Sequence, residues 1–376
     1  MLQTRARYGF RTAGFLLALL AFAAPVRAVT SVCVATSQEL AAALGHVNAL
    51  NGADSEYMIR LRPGTYVNDL PSAGHAFHVA PNRSNQTVIL SGSWSENCQV
   101  RHYDGPRTTL LGTASRRALE FHLDDGVHTG NRLILQDLDL RNLLFNPPQD
   151  NVAACLAGAV GPGNEATIER LAMSLCYTMQ GQMASVLIYN SGKLVFRNVL
   201  VDGGGALENG GIGVMTVDQG VSYLSQLTVT HTKSLGPDSG FGSGIALLNA
   251  GSAVTHLTNS VVWGNDPDPD TADLYLHGPG ITLTRVHHGK LKTLGGAPAA
   301  NVSPSVGDPG FVSAGDAHLR SDSILIDSGV YSPPGGAGSY DLEGKPRKRG
   351  VTTDVGAYEA PVPDGLFEDG FDQNAG

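Results

Sequence analysis

Between Val186 and His288, apolar runs alternate with polar turns four times. Val186-Leu187-Ile188-Tyr189 turns at Asn190-Ser191-Gly192 and continues as Leu194 to Val201. Ile212-Gly213-Val214-Met215 turns at Asp218-Gln219-Gly220 and continues as Tyr223 to Val229. Ile245 to Leu248 turns at Asn249-Ala250-Gly251 and continues as Val254 to Val262. Leu274-Tyr275-Leu276 turns at His277-Gly278-Pro279-Gly280 and continues as Ile281 to Val286. The turn residues Asn190, Asp218, Asn249 and His277 stand 28, 31 and 28 positions apart. Each unit exposes an apolar face that only stacking on its neighbours can bury, so this period predicts a β-solenoid.

Earlier runs fit the same template. Thr87 to Gly92 and Thr108 to Gly112 are short β-type runs ending at glycine. His128-Thr129-Gly130 precedes Leu133 to Leu140, and Gly161-Pro162-Gly163 precedes Ala166 to Leu171. The repeat therefore extends over Tyr57 to Val286, about eight to ten rungs at this period. Asn190, Asp218 and Asn249 recur at one point of successive coils, which predicts a polar ladder at a bend; a solvated turn is the alternative. A propeller fits less well, because its blades need about 40 residues and hairpin turns.

The pattern changes at both ends. Thr36-Ser37-Gln38-Glu39 reads as a capping box, and Leu40, Ala43, Leu44 and Val47 follow at helical spacing. A short helix there would cover the open end of the coil, ahead of the strand Met58 to Tyr66 that breaks at Pro63-Gly64. After Asn301 the repeat loosens into Ser303 to Val312 and a Ser332-Pro333-Pro334-Gly335-Gly336 loop. The expected division is 1–28 leader, 29–56 cap with helix, 57–300 parallel coil, 301–360 closing segment and 361–376 flexible tail.

Composition agrees. Among 376 residues, 16% are charged and 6% aromatic, with 47 glycines, which suits a turn-rich all-β chain. The net charge of −9 and a longest basic run of only Lys345-Pro346-Arg347-Lys348-Arg349 argue against a nucleic-acid partner. Arg5, Arg7 and Arg11, the apolar Gly14 to Ala24 and Val26-Arg27-Ala28 read as a secretory signal peptide; the apolar run is short for a membrane anchor. The mature chain is expected to be secreted or at the cell surface, monomeric and without a transmembrane segment.

Cys33, Cys98, Cys155 and Cys176 all lie in the mature part. An even count in an exported chain points to disulfides, and four cysteines allow three pairings. Cys33–Cys98 with Cys155–Cys176 is preferred, the second pair being 21 residues apart, close to one turn of a coil. A zinc site is the alternative, but no C-x-x-C pair supports it.

Several motifs resemble, in order, those of the choice-of-anchor Q domain proteins. They are Asn259-Ser260-Val261-Val262-Trp263-Gly264-Asn265, Asp308-Pro309-Gly310-Phe311-Val312, Ser323 to Gly329, Asp341 to Arg347 and Asp354-Val355-Gly356-Ala357-Tyr358-Glu359. Together they span about a quarter of the chain, and Ile324 stands where that group carries proline. The resemblance implies an exported bacterial right-handed parallel β-helix of the pectin-lyase-like superfamily, which mixes enzymes with non-enzymatic surface proteins. Leu366 to Asp372 resembles a short tail found on other exported proteins.

Candidate chemistry comes from the loops that follow the matched strands and should stack on one flank. They carry Asp202, then His231, Lys233 and Asp238, then Asn265 and Asp266, then His287, His288 and Lys290, with Trp263 as a possible stacking platform. Mixed acid, base and imidazole suits a polysaccharide or cell-envelope glycan; ordinary polar loops, with Trp263 a structural rung residue, are the plain alternative. No catalytic residue is assigned. A lyase needs a base with Ca²⁺ or Arg against an enolate, and a hydrolase needs two carboxylates about 5 to 9.5 Å apart. Asp124-Asp125 supplies paired acids without the G-H-G and R-I-K signatures of pectinolytic hydrolases. No cofactor is expected. Asp266 to Asp273 is a possible Ca²⁺ loop, although Pro267 and Pro269 restrict how its carboxylates converge. His287-His288 could coordinate a metal weakly. Gly203-Gly204-Gly205 and Gly210-Gly211 lack the helix a nucleotide fingerprint requires.

Overall fold

The computed structural model describes residues 29–49, 55–69, 77–146, 153–179, 183–236, 240–266, 268, 271–296, 301–302, 305 and 307–361. The expected leader, the tail motif from Leu366 and Asp238 lie outside the described residues.

Among the described residues the chain is an all-β parallel solenoid with one helix. A twelve-stranded sheet and an eight-stranded sheet wrap a common core, and each middle coil contributes one strand to each. In the first repeat unit, Val186–Asn190 joins the smaller sheet, and Lys193–Ala206 joins the larger one after a two-residue turn. The coil is right-handed, the hand that a strand, crossover and parallel strand adopt.

Register explains the apolar pattern. Ile59, Leu90, Leu135, Ile168, Phe196, Leu224, Leu257 and Leu283 stack one above the next along the larger sheet, all essentially fully buried. Across the core, Phe121, Gly158, Ile188, Val214, Leu247 and Leu276 form a facing column. Gly158 belongs there because a Cβ would sit 2.1 Å from the Phe121 ring.

The expected ladder exists, with one member changed. Register aligns Asn190, Thr216 and Asn249, whereas Asp218 lies two residues further on in an exposed turn. A turn motif marks where the chain bends, but burial follows the strand register. The buried set is continuous: Asn190 Nδ2 donates to Ser222 Oγ at 2.8 Å, and Ser222 Oγ lies 2.8 Å from Thr216 Oγ1. Thr255 Oγ1 then lies 3.0 Å from Thr216 Oγ1 and 2.8 Å from Asn249 Oδ1. These groups are inside the coil and satisfy one another.

A second column falls in the middle of the long strands. Asp137, Arg170, Asn198, Gln226, Asn259 and Arg285 occupy equivalent positions, and all take a left-handed backbone with φ between +49° and +57°. Each bends its strand, so one 14-residue run covers two faces of the coil. Leu175, Gly203, His231 and Gly264 make a further left-handed bend at the far end of those strands.

Both ends are closed by other structure. Thr36 caps Ser37–Ala49 as expected: Glu39 N donates to Thr36 Oγ1 at 3.2 Å, and Thr36 N donates to Glu39 Oε2 at 3.2 Å. Leu40, Ala43, Leu44 and Val47 are buried against the first coil. Residues 307–361 run back across the bend column. Asn259 Nδ2 donates to Val330 O, Asn198 Nδ2 to Ala337 O, and Arg107 Nη1 to Leu342 O. Beneath this segment Val261, Leu319, Leu325 and Val355 form a small apolar cluster, with Trp263, Phe311 and Ile326 against it. The cysteines pair as Cys33–Cys98 and Cys155–Cys176, the second pair wholly inside the coil.

Candidate functional site

The flank at the far end of the long strands carries the expected loops, and the structure divides their residues into two groups. Asp202, His231, Lys233, Asn265 and Asp266 come together. His231 sits at the left-handed bend, and its Nδ1 donates to Asp202 Oδ1 of the preceding coil at 2.8 Å. Both side chains are about one-third exposed, and Lys233 is exposed beside them. His231, Lys233, Asn265 and Asp266 line an open depression of about 550 Å³ together with Tyr177, Gly203 and Gly264. Sequence reasoning missed Tyr177. Its signal was register alone, because Tyr177 lies opposite Gly205, and Gly205 lies opposite Lys233. A Cβ on Gly205 would come within 3.1 Å of the Tyr177 ring and 3.0 Å of Leu235, so glycine lets these side chains close over the strand.

The polar floor is fixed by the fold. Asn265 is buried; its Oδ1 accepts from Thr232 N at 3.2 Å and Thr232 Oγ1 at 2.8 Å. Its Nδ2 donates to Val229 O and to Asp273 Oδ1. Asp266 Oδ2 accepts from Ser234 N, and its Oδ1 accepts from Asp268 N. Asp273 takes backbone amides from Asn265 and Lys290, and burial still pushes its carboxyl above the usual range. In the loop read as a possible Ca²⁺ site, Asp266 and Asp273 thus hold backbone amides, and Asp270 lies outside the described residues.

Trp263, His287 and His288 form the other group. The Trp263 and His287 rings lie 5.1 Å apart, and Trp263 packs on the apolar cluster under the closing segment. His287 is fully buried, with Nδ1 2.8 Å from Ser305 Oγ, and burial lowers its pKa. His288 Nδ1 donates to Gly289 O at 2.8 Å. Trp263 and His287 thus pack against the closing segment or the residues leading into it, and none of the three lines the depression.

On the other acids read from the sequence, Asp124 and Asp125 each pair with a neighbouring histidine, His122 and His128. Among the described residues no cluster of three or more His, Cys, Asp or Glu side chains is placed to hold a metal ion. No helix among the described residues is long and apolar enough to cross a membrane. No protein-family model matches the chain, and no curated protein matches its sequence.

Proposed function

We propose that this chain is an exported, cell-surface β-helix protein, akin to the choice-of-anchor Q proteins, that contacts carbohydrate at the lateral depression and does not catalyse a reaction on it. The observation that carries this reading is the lining of the depression. Tyr177 supplies an aromatic ring beside the exposed Lys233 and the Asp202–His231 pair, over a floor whose hydrogen bonds are already fixed. Sugars are bound by such mixtures, an apolar ring against C–H groups with a few fixed donors and acceptors for hydroxyls. The non-catalytic half of the reading rests on how the acids are used: Asp202 is engaged by His231, and Asp266 by two backbone amides.

Calorimetric titration with a panel of neutral and acidic oligosaccharides tests it. Binding is expected, weakened at least about tenfold, or 1.4 kcal/mol, in Lys233→Ala and Tyr177→Ala. No member of the panel binding would end the carbohydrate reading. Incubation with uronate polymers, with and without Ca²⁺, is expected to leave the absorbance of unsaturated products flat. A Ca²⁺-dependent rise lost in Lys233→Ala would make the chain a lyase.

A further inference from the structure

The long strands end on apolar side chains that the core does not take up. Along a strand, alternate residues face inward, and the outward positions of an exposed face are ordinarily polar. Four successive coils break that rule at neighbouring positions. Leu143 and Leu144 lie near the end of Arg132–Phe145. Leu175 sits at the left-handed bend of Glu165–Thr178, and Met179 follows that strand's last residue. Leu207 and Leu235 follow the last residues of Lys193–Ala206 and Val221–Ser234. All six are between 39% and 62% exposed, although the closing segment covers the mid-strand bends.

Register makes these side chains neighbours. The four strands pair in parallel, each beside the next. Leu235 N donates to Ala206 O and Gly236 N to Leu207 O, which keeps the last two coils in step beyond their strands. Leu235 and Tyr177 lean over Gly205 from either side, each about 3 Å from where its Cβ would be. One apolar patch therefore crosses four coils, about 15 Å along the solenoid at the spacing of adjacent strands.

Its size sets the class of partner. Six half-exposed Leu and Met side chains present of the order of 500 Å² of apolar surface, near the top of what a monomer's largest patch exposes. That is more than half of the about 800 Å² that each partner buries in a standard protein interface.

Charge at the rim selects the partner further. Lys233 is exposed two residues before Leu235, and Glu208 is half-buried directly after Leu207. Neither makes an ion pair or hydrogen bond among the described residues, and Glu208 Oε2 lacks a partner altogether. One unpaired cation and one unpaired anion on the same patch make it complementary to itself. A two-fold axis makes contacts reciprocal, so Lys233 of each copy meets Glu208 of the other. The chain carries a net charge of −9, so a second copy is repelled except where local charge balances, as it does here. We infer that this patch is the interface of a two-fold homodimer, closed by two reciprocal Lys233–Glu208 ion pairs.

The depression borders this face through Tyr177 and Lys233, so association is measured with no sugar present. Sedimentation equilibrium of the purified chain from about 1 μM to about 100 μM spans the weak end of affinities for interfaces of standard size. The mass is expected to rise to twice that of one chain. Leu207→Asp and Leu235→Asp place a charge in the patch and should raise the dissociation constant at least about tenfold. Both positions are exposed, so an unchanged melting curve shows that each variant folds. Lys233→Glu and Glu208→Lys each set like charges opposite one another and should weaken the dimer. The double variant exchanges the signs of the pair and should recover most of the lost affinity. A single-chain mass at every concentration, an undiminished dimer in Leu207→Asp, or no recovery in the double variant would each overturn the proposal. A chain that dimerises only after removal of residues 362–376 would also overturn it, and would give the patch to the chain's own tail.

Discussion

Arg347 Nε donates a 2.6 Å hydrogen bond to Asn198 Oδ1, joining residues 149 positions apart. Asn198 also donates to Ala337 O, so one amide at a strand bend holds the closing segment at two points. Asn198→Ala leaves the Arg347 Nε–H and the Ala337 carbonyl without these partners and puts alanine at a positive φ. A loss of about 2 to 4 kcal/mol is expected from unsatisfied buried groups and left-handed strain. Asn198→Gly removes the bonds without the strain and should lose less. Denaturant midpoints for both variants, with proteolysis of residues 320–350 as a local readout, check this.

The same anchor predicts a pH dependence. Arg347 faces two carboxyls, Glu359 and Asp354, and one buried cation cannot compensate both anions well. Burial raises the Glu359 pKa from 4.5 to about 7 against the pull of Arg347, and Asp354 raises it further. Burial also raises Asp354, with Asp327 adding to the shift. For an acid raised on folding, the folded state holds a proton that the unfolded chain has released. Stability from this group is therefore present below pH 4.5 and is lost as pH rises to about 7, at up to about 1.4 kcal/mol per pH unit. Unfolding free energies measured from pH 4 to 8 should show this fall, and Glu359→Gln should flatten it. An unchanged slope in the variant would place the titration elsewhere.

How much of this was readable from the chain differs by level. The coil was legible because the period survives in short apolar runs, and the cap because Thr36 and Glu39 are local. The preferred cysteine pairing is the one found, but for another reason than the spacing suggested: the coil there takes 30 residues, from Leu156 to Val186, so Cys155–Cys176 closes a single coil instead of joining neighbouring ones. The ladder was displaced at Asp218 because a polar-x-Gly turn and the strand register need not coincide; Thr216 takes the buried place. The bend column was hidden because Asp, Arg, Asn and Gln share a backbone conformation there without sharing a residue type. The Asn198–Arg347 contact depends on where a distant segment lands, and no local pattern encodes that. In the candidate flank, spacing grouped Trp263 and His287 with His231, whereas packing sets Trp263 and His287 against each other beside the closing segment and leaves His231 in the depression.

Gln226 is the buried member of the bend column whose side chain has no hydrogen bond among the described residues. It is fully buried between Asn198 and Asn259, and neither end of its amide has a partner among the described residues. Its neighbours both bond the closing segment. Gln226→Met keeps the length and removes two unpaired polar atoms, so a gain of about 1 to 3 kcal/mol in unfolding free energy is expected. Chemical denaturation measures it directly. A loss of stability would mean that the amide is satisfied in solution, by a bound water for example.

Trp263 separates the two roles that a rung aromatic can have. As a sugar platform it would affect binding and leave stability alone. In the structure its ring lies against His287 and against the cluster of Val261, Leu319, Leu325 and Val355, where the coil meets the closing segment. Trp263→Ala should therefore cost about 2 to 4 kcal/mol, somewhat less than a fully buried tryptophan because part of the ring is solvent-exposed. Carbohydrate affinity at the depression should stay within about twofold, since Trp263 is not part of its lining. Thermal unfolding and titration on the same preparation give both numbers. Lost affinity with an unchanged melting temperature would return Trp263 to the ligand, and with it His287, whose ring could then no longer be regarded as buried packing.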